Sequence, residues 1–231
     1  MTTEILFIGL QEQGASLAMA LAQASVDTMH VGYDRNREAS RAAQEAEAVE
    51  KVVIDPFKAA ETADLVIISL SSDEAEAMLK DIEPRLKPDS VVLDCSHLSA
   101  STLRWATDNL GPDRHYLGAM PVIRPEMLHE IQADYRDAHA NMYEDSLLAL
   151  VVPTETPEPA VNMALNIAEA IGSSPFFVDP AEMEAVTTLI ETLPTLLGRA
   201  ARDVNQDRRF RRRQIDPHSP LTAGDDGDAF A

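Results

Sequence analysis

The sequence contains one cysteine, one tryptophan and few aromatic residues of any kind, 5% of its 231 positions. A lone Cys95 excludes an intramolecular disulfide and any cysteine-rich metal site, and it fits a reducing compartment. Lying in an apolar run, it is expected to be a small core residue rather than a nucleophile. No run of about 18 uncharged apolar residues occurs, so no membrane-spanning helix is expected. Met1-Thr2-Thr3-Glu4 leads into a strand-like segment without a basic stretch, so a soluble, cytoplasmic protein is expected. Positive charge is also scarce: 19 Lys and Arg against 39 Asp and Glu give a net charge of −20. The imbalance lies in the body, with 12 basic against 33 acidic residues through Gly198 and seven against six beyond it. Such a body repels nucleic acid. The late arginines, Arg199, Arg202, Arg208, Arg209 and Arg211 to Arg213, are accompanied by one aromatic, Phe210. That is too little for a base-stacking platform, so the segment is expected to be solvated or docked on its own acidic body, with no nucleic acid and no membrane as partner.

At 25.2 kDa and 45% hydrophobic residues the chain can bury one sizeable core. Strand-length apolar runs alternate with segments of helical period. Glu4 to Leu10, Met29 to Tyr33, Leu65 to Leu70, Val91 to Cys95, Tyr116 to Met120, Leu147 to Val152 and Phe176 to Val178 read as strands. Ala15 to Gln23, Asn36 to Val49, Ser72 to Leu86, Ser101 to Leu110 and Ala160 to Ile171 read as helices, while Val122 to Asp145 is irregular. This alternation requires crossover connections, and so an α/β fold with a doubly wound, mainly parallel sheet of the Rossmann type. The expected organisation is a nucleotide-binding domain over residues 1–179, a C-terminal helix over 180–202 and a polar, disordered tail over 203–231.

The first strand-to-helix turn reads Gly9-Leu10-Gln11-Glu12-Gln13-Gly14. It fits G-x-G-x-x-G at the first and third glycines, which serve the tight turn and the close helix–strand packing. Gln11 stands where the second glycine would let a pyrophosphate approach the backbone, and Glu12 adds negative charge beside amides that attract anions. Asp34 and Arg35 follow the second strand, about 20 positions after the glycine turn, where an acid reads the adenosine ribose hydroxyls of NAD and an arginine accepts the 2′-phosphate of NADP. Both are present, so either cofactor is open. Asp34 can also simply cap the next helix.

These stretches resemble the prephenate/arogenate dehydrogenase family of tyrosine biosynthesis. The resemblance runs from Ile5 to about Gly198 through the glycine turn, Val31-Gly32-Tyr33-Asp34-Arg35, Asp64 to Ile68, Leu86 to Asp94, Pro153-Thr154 and Phe177 to Glu182. It implies an NAD(P)-dependent oxidoreductase, with Gly9, Gln11, Gly14, Asp34 and Arg35 at the cofactor and Ser69, Ser71 and Ser96 with His97 on its nicotinamide side. A small-molecule, prephenate-like carboxylate is the implied substrate. The departures are pointed. The family's G-G-H-P, whose histidine helps take the substrate proton, reads Gly118-Ala119-Met120-Pro121 here, and methionine has no titratable group. The lysine of its S-x-K becomes Ser99, its E-H-D becomes Glu182-Met183-Glu184, and its H-L-P becomes Thr192-Leu193-Pro194. Most of the family's helical substrate-binding and dimerisation domain is expected to be missing.

His97, after a strand end, is the remaining candidate for proton transfer, or else a solvated loop residue. His129 and His139 lack metal-ligand spacing, so no metal is expected. Arg124 and Arg136 can meet a carboxylate or be merely solvated. Apolar spacing at Val186, Leu189, Ile190, Leu193, Leu196 and Leu197 suggests a homodimer. Two functions follow: a dehydrogenase with weak or altered activity, and a non-catalytic relative that binds a nucleotide or a partner protein.

Overall fold

The computed structural model describes residues 2–24, 26–96, 100–122 and 134–187. The chain divides into two units, Met1–Glu184 and Ala185–Ala231, and the whole sheet lies in the first. Its strands are β1 (Thr3–Ile8), β2 (Thr28–Tyr33), β3 (Lys51–Val52), β4 (Leu65–Ile68), β5 (Val91–Asp94), β6 (His115–Val122), β7 (Leu147–Val151) and β8 (Ser174–Phe177). The helices are α1 (Glu12–Gln23), α2 (Arg37–Glu45), α3 (Pro56–Ala60), α4 (Ser72–Ile82), α5 (Ala100–Asn109), α6 (Glu158–Ala170) and α7 (Pro180–Thr187).

The sheet order is β3-β2-β1-β4-β5-β6-β7-β8, with every neighbouring pair parallel except β6 and β7. This is the doubly wound, mainly parallel Rossmann-type sheet that the alternation implied. Strand alternation sends Ile5 and Phe7 into a core with Leu17 and Leu21 of α1 and Ala164 and Ile167 of α6. Leu6 and Ile8 face the opposite core with Met78, Leu79 and Ile82 of α4 and Ala106 of α5. Burial on both faces explains why β1 and β4 are continuous apolar runs rather than alternating ones. Cys95 is buried, and burial followed by the charge of Asp94 pushes its thiol far above the usual range, as befits a core residue.

Two helices stop short of the sequence expectation, and a short strand and helix were not expected. The helix expected to run from Asn36 to Val49 starts after Asn36, whose side chain accepts from the Glu38 amide at 3.0 Å, and ends at Glu45. Glu47 then takes a left-handed φ of 58°, and Ala48 and Val49 turn into the core. The reversal lays Lys51–Val52 beside β2, and Asp55 caps the short α3 by accepting from the Phe57 amide at 3.0 Å. Helix α4 stops at Ile82 instead of Leu86 because Pro84 offers no amide donor, leaving a single 3-10 turn at Glu83–Arg85. Of the expected C-terminal helix, residues 188–202 lie outside the described residues, as does the tail.

A carboxylate clamp closes the amino-end side of the sheet. Asp64 accepts from the Glu4 amide at 2.9 Å and pairs with Lys87. Burial opposes its charge, yet the Lys87 ammonium and the Glu4 amide outweigh it and hold the carboxyl below its ordinary range. Bonds from Lys80 and Ser101 do the same for Glu76. A carboxyl depressed in the folded state stabilises above its unfolded pKa of about 4 and ceases to do so as pH falls through the folded value. Melting temperature should therefore decline below about pH 4. Because the pair is partly exposed, Asp64→Asn should cost no more than about 1 kcal/mol at pH 7, and it should flatten the acid decline. An acid decline identical in wild type and variant would show that Asp64 has no part in it.

Candidate functional site

Strand β1 ends at the switch point between β2 and β4, where the strand order reverses and open α/β sheets bind ligands. Gly9 takes a φ of +96°, and a Cβ there would lie 2.0 Å from the Ser69 carbonyl oxygen, so no side chain fits. Gly14 sits equally tight, its hypothetical Cβ 2.0 Å from the Gly9 carbonyl oxygen. The two glycines thus perform the two expected tasks. They hold the N-terminus of α1, with its positive dipole end, at the mouth of the switch point.

Asp34, at the end of β2, is the hub of the turn. Its Oδ2 accepts from the Leu10 amide at 2.7 Å and from Gln11 Nε2 at 3.2 Å, while Oδ1 accepts from the Asn36 amide at 2.7 Å. The cap of α2 is therefore Asn36, and Asp34 ties the glycine turn to the second strand. Gln11 is the residue preceding α1, but its side chain makes no cap and leans to Asp34 instead. Arg35 meets Glu74 of α4 at 3.2 Å, and Ser71 donates to the other Glu74 oxygen at 2.7 Å. Gly9, Gln11, Asp34, Arg35, Leu70 and Met78 line a cavity of about 240 Å³ between β2 and α4. An acceptor at a strand end, an adjacent arginine and an apolar wall of this size fit the adenosine half of a dinucleotide; the Gln11 side chain departs from the usual fit at the pyrophosphate.

The serines converge at the ends of β4 and β5 but play different parts. Ser96 is buried, its hydroxyl accepting from the Leu70 amide at 3.0 Å, so it ties the two strand ends together. Ser71 is exposed and engaged with Glu74, and Ser69 is half-buried with its carbonyl against Gly9. Beneath them Asp94 accepts from the Ser96 amide at 2.9 Å and from the Tyr116 hydroxyl at 2.7 Å. Burial, then the Asp94 charge, holds that hydroxyl well above its ordinary pKa, fixing it as a donor. Glu12 is buried rather than displayed beside the turn, and after burial itself its charge helps raise the Tyr143 hydroxyl, which donates to the Gln13 carbonyl at 2.8 Å.

Met120 is half-buried on β6 and belongs to an apolar cluster with Leu103, Ala149, Val151 and Val178. His97 and Arg124 lie outside the described residues. Arg136 pairs with Asp134 at 3.0 Å and lies over the Tyr135 ring. Among the described residues no cluster suits a metal ion, and no helix is long and apolar enough to cross a membrane. Sequence reasoning missed Asp94 with Tyr116, an acid and a phenol whose 22-residue separation carries no local pattern.

Residues 17–175 match the family described as prephenate dehydrogenase, nucleotide-binding domain, a match that begins inside α1, just past the glycine turn. No curated protein matches the sequence. Among solved structures the fold is similar to prephenate dehydrogenase from Aquifex aeolicus in complex with hydroxyphenyl propionate and NAD+. The TM-score is 0.76 at 18% identity, over 98% of this chain and 75% of that one. Synechocystis arogenate dehydrogenase gives a TM-score of 0.72 at 17% identity, over 97% of this chain and 80% of that one. A 3-hydroxyisobutyrate dehydrogenase from Mycobacterium tuberculosis, with L-serine, gives 0.61 at 19% identity, over 99% and 72%.

Proposed function

The chain belongs to the prephenate dehydrogenase family through its nucleotide-binding domain, and from that premise we propose that it binds NAD or NADP across the carboxyl ends of β1, β2 and β4. The observation that carries this reading is Asp34, bonded to the Leu10 amide of the glycine turn and set beside the adenosine-sized cavity. A carboxylate accepts about four hydrogen bonds, so three internal donors leave Asp34 room for one ribose hydroxyl. The N-terminus of α1 attracts the diphosphate, and Ser96 holds the Leu70 turn that walls the cavity. When bound, the cofactor supplies the hydride acceptor. The protein's tasks are to orient it, to exclude water and to remove a proton, and Met120 cannot serve the last.

The activity proposed is accordingly an oxidoreductase acting weakly, or with altered scope, on a prephenate-like carboxylate. The apolar packing of Met120 favours a second reading, a nucleotide-binding relative without redox turnover. A cytoplasmic homodimer joined through residues 180–201 belongs to the proposal and rests on the apolar spacing of that segment.

Calorimetric titration with each cofactor tests binding directly. A site worth only ~4 kcal/mol would register at about 1 mM cofactor, and silence at that concentration would end both nucleotide readings. Binding without prephenate or arogenate turnover would favour the non-catalytic one.

A further inference from the structure

A second cavity, of about 350 Å³, adjoins the adenosine cavity and shares Tyr33, Asp34 and Arg35 with it. Its far side is formed by Arg37 and Arg41 of α2 and by Val53 after β3. Arg37 and Arg41, four apart, project from one helix face. Three of the 12 basic residues before Arg199 thus line one hollow whose only acid is Asp34, in a chain of net charge −20. The concentration runs against the composition of the whole body, and a positive concave surface focuses anions.

The cations there are available. Arg37 has no ion pair or hydrogen bond among the described residues. Arg41 meets only Glu45, at 2.7 Å, and Arg35 only Glu74, at 3.2 Å, with the side chains of both arginines at least three-quarters exposed. Exposed pairs of this sort contribute little and yield to a phosphate, which takes bidentate guanidinium bonds. The one acid of the hollow is largely engaged within the turn: Asp34 accepts three hydrogen bonds, from Leu10, Gln11 and Asn36. Its carboxylate holds the glycine turn to the second strand and keeps room for about one further donor.

We propose that this hollow is a 2′-phosphate pocket, so that the chain selects NADP over NAD, with Arg37 and Arg41 as specificity-determining residues beside Arg35. The inference rests on the dinucleotide reading above and adds to it the choice between its two cofactors. Asp34 sits on the wall between the hollows, so the ribose it reads places its 2′-oxygen next to the arginines rather than next to the adenine wall.

Calorimetry on the full chain tests the pocket with two pairs of probes, NADP against NAD and 2′,5′-ADP against 5′-AMP. The phosphorylated member of each pair should bind at least tenfold tighter at low salt, with the advantage shrinking as salt rises. Arg37→Ala combined with Arg41→Ala should erase that tenfold while changing NAD and 5′-AMP less than twofold. Both residues are exposed, so an unchanged melting curve accompanies the loss. Equal affinities for 2′,5′-ADP and 5′-AMP, or an advantage that survives the double substitution, would overturn the inference. If 2′,5′-ADP binds in an arginine-dependent way while both dinucleotides fail, the pocket stands and the dinucleotide reading falls. If NAD and NADP bind equally well, the dinucleotide reading stands and the pocket falls.

Discussion

Gly14→Ala is expected to lower the melting temperature by roughly 5–15 °C and to abolish cofactor binding, although alanine is the better helix former. The added methyl would lie 2.0 Å from the Gly9 carbonyl oxygen, 3.0 Å from the Gly9 carbonyl carbon and 3.1 Å from Ser69 Cβ. Two of these neighbours are backbone atoms of the turn itself and cannot rotate aside, so α1 must move away from β1 by about an ångström. Moving a helix that buries Leu17, Ala18 and Leu21 against Ile5 and Phe7 opens the core along its length. The propensity gain of about 1 kcal/mol opposes a repacking cost of about 3–5 kcal/mol, leaving a net loss of about 2–4 kcal/mol. Gly111→Ala is the matched control. Its methyl meets the ends of Arg114 and Asp113 at 2.9 Å, both flexible side chains, and should shift the melt by no more than about 2 °C. Calorimetric melts that coincide for the two variants would show that the Gly14 contact is not what holds α1 to the turn.

The same contrast between backbone and side chain separates what the sequence showed from what it hid. The spacing of Gly9, Gly14 and Asp34 is readable because the turn geometry leaves few alternatives for those residue types. The continuous apolar runs at Leu6 to Ile8 and Leu65 to Ile68 are readable because a parallel sheet buried on both faces demands them. Strand β3 and helix α3 were not, because two residues of strand and five of helix are too short to show a period. Gln11 read as an obstacle to a pyrophosphate; in the structure it is also a donor to Asp34, a partnership 23 residues away in sequence. Glu12 read as a charge beside the site, and its burial depends on where α1 rests against Tyr143. The basic hollow was invisible for the same reason. Arg37 and Arg41 look like ordinary solvated helix positions until β3 is laid beside β2 to make the opposite wall.

Met120→His is expected to raise turnover of prephenate by about 10- to 100-fold, the lower part of the 10²–10⁴ range that a positioned base contributes. Met120 pairs with Ala149 across the antiparallel β6–β7 ladder and packs with Leu103, Val151 and Val178. Oxidation of a hydroxyl requires its proton to leave with the hydride, and none of these apolar side chains can accept it. A histidine here would be partly desolvated, which disfavours the imidazolium and keeps the neutral base available at pH 7. The gain is held to the lower range because the apolar neighbours Leu103, Ala149, Val151 and Val178 offer no side-chain acceptor to fix the ring tautomer. In the variant, rate should rise with pH through a midpoint at or below about 6.5. Met120→Gln, similar in length but without a titrating group, should show no such step and no gain. Equal cofactor affinity across the three proteins would place the difference in proton transfer rather than in binding. Histidine and glutamine variants with the same turnover and the same flat pH profile would sink the idea of a missing base. The non-catalytic reading would then be the stronger one.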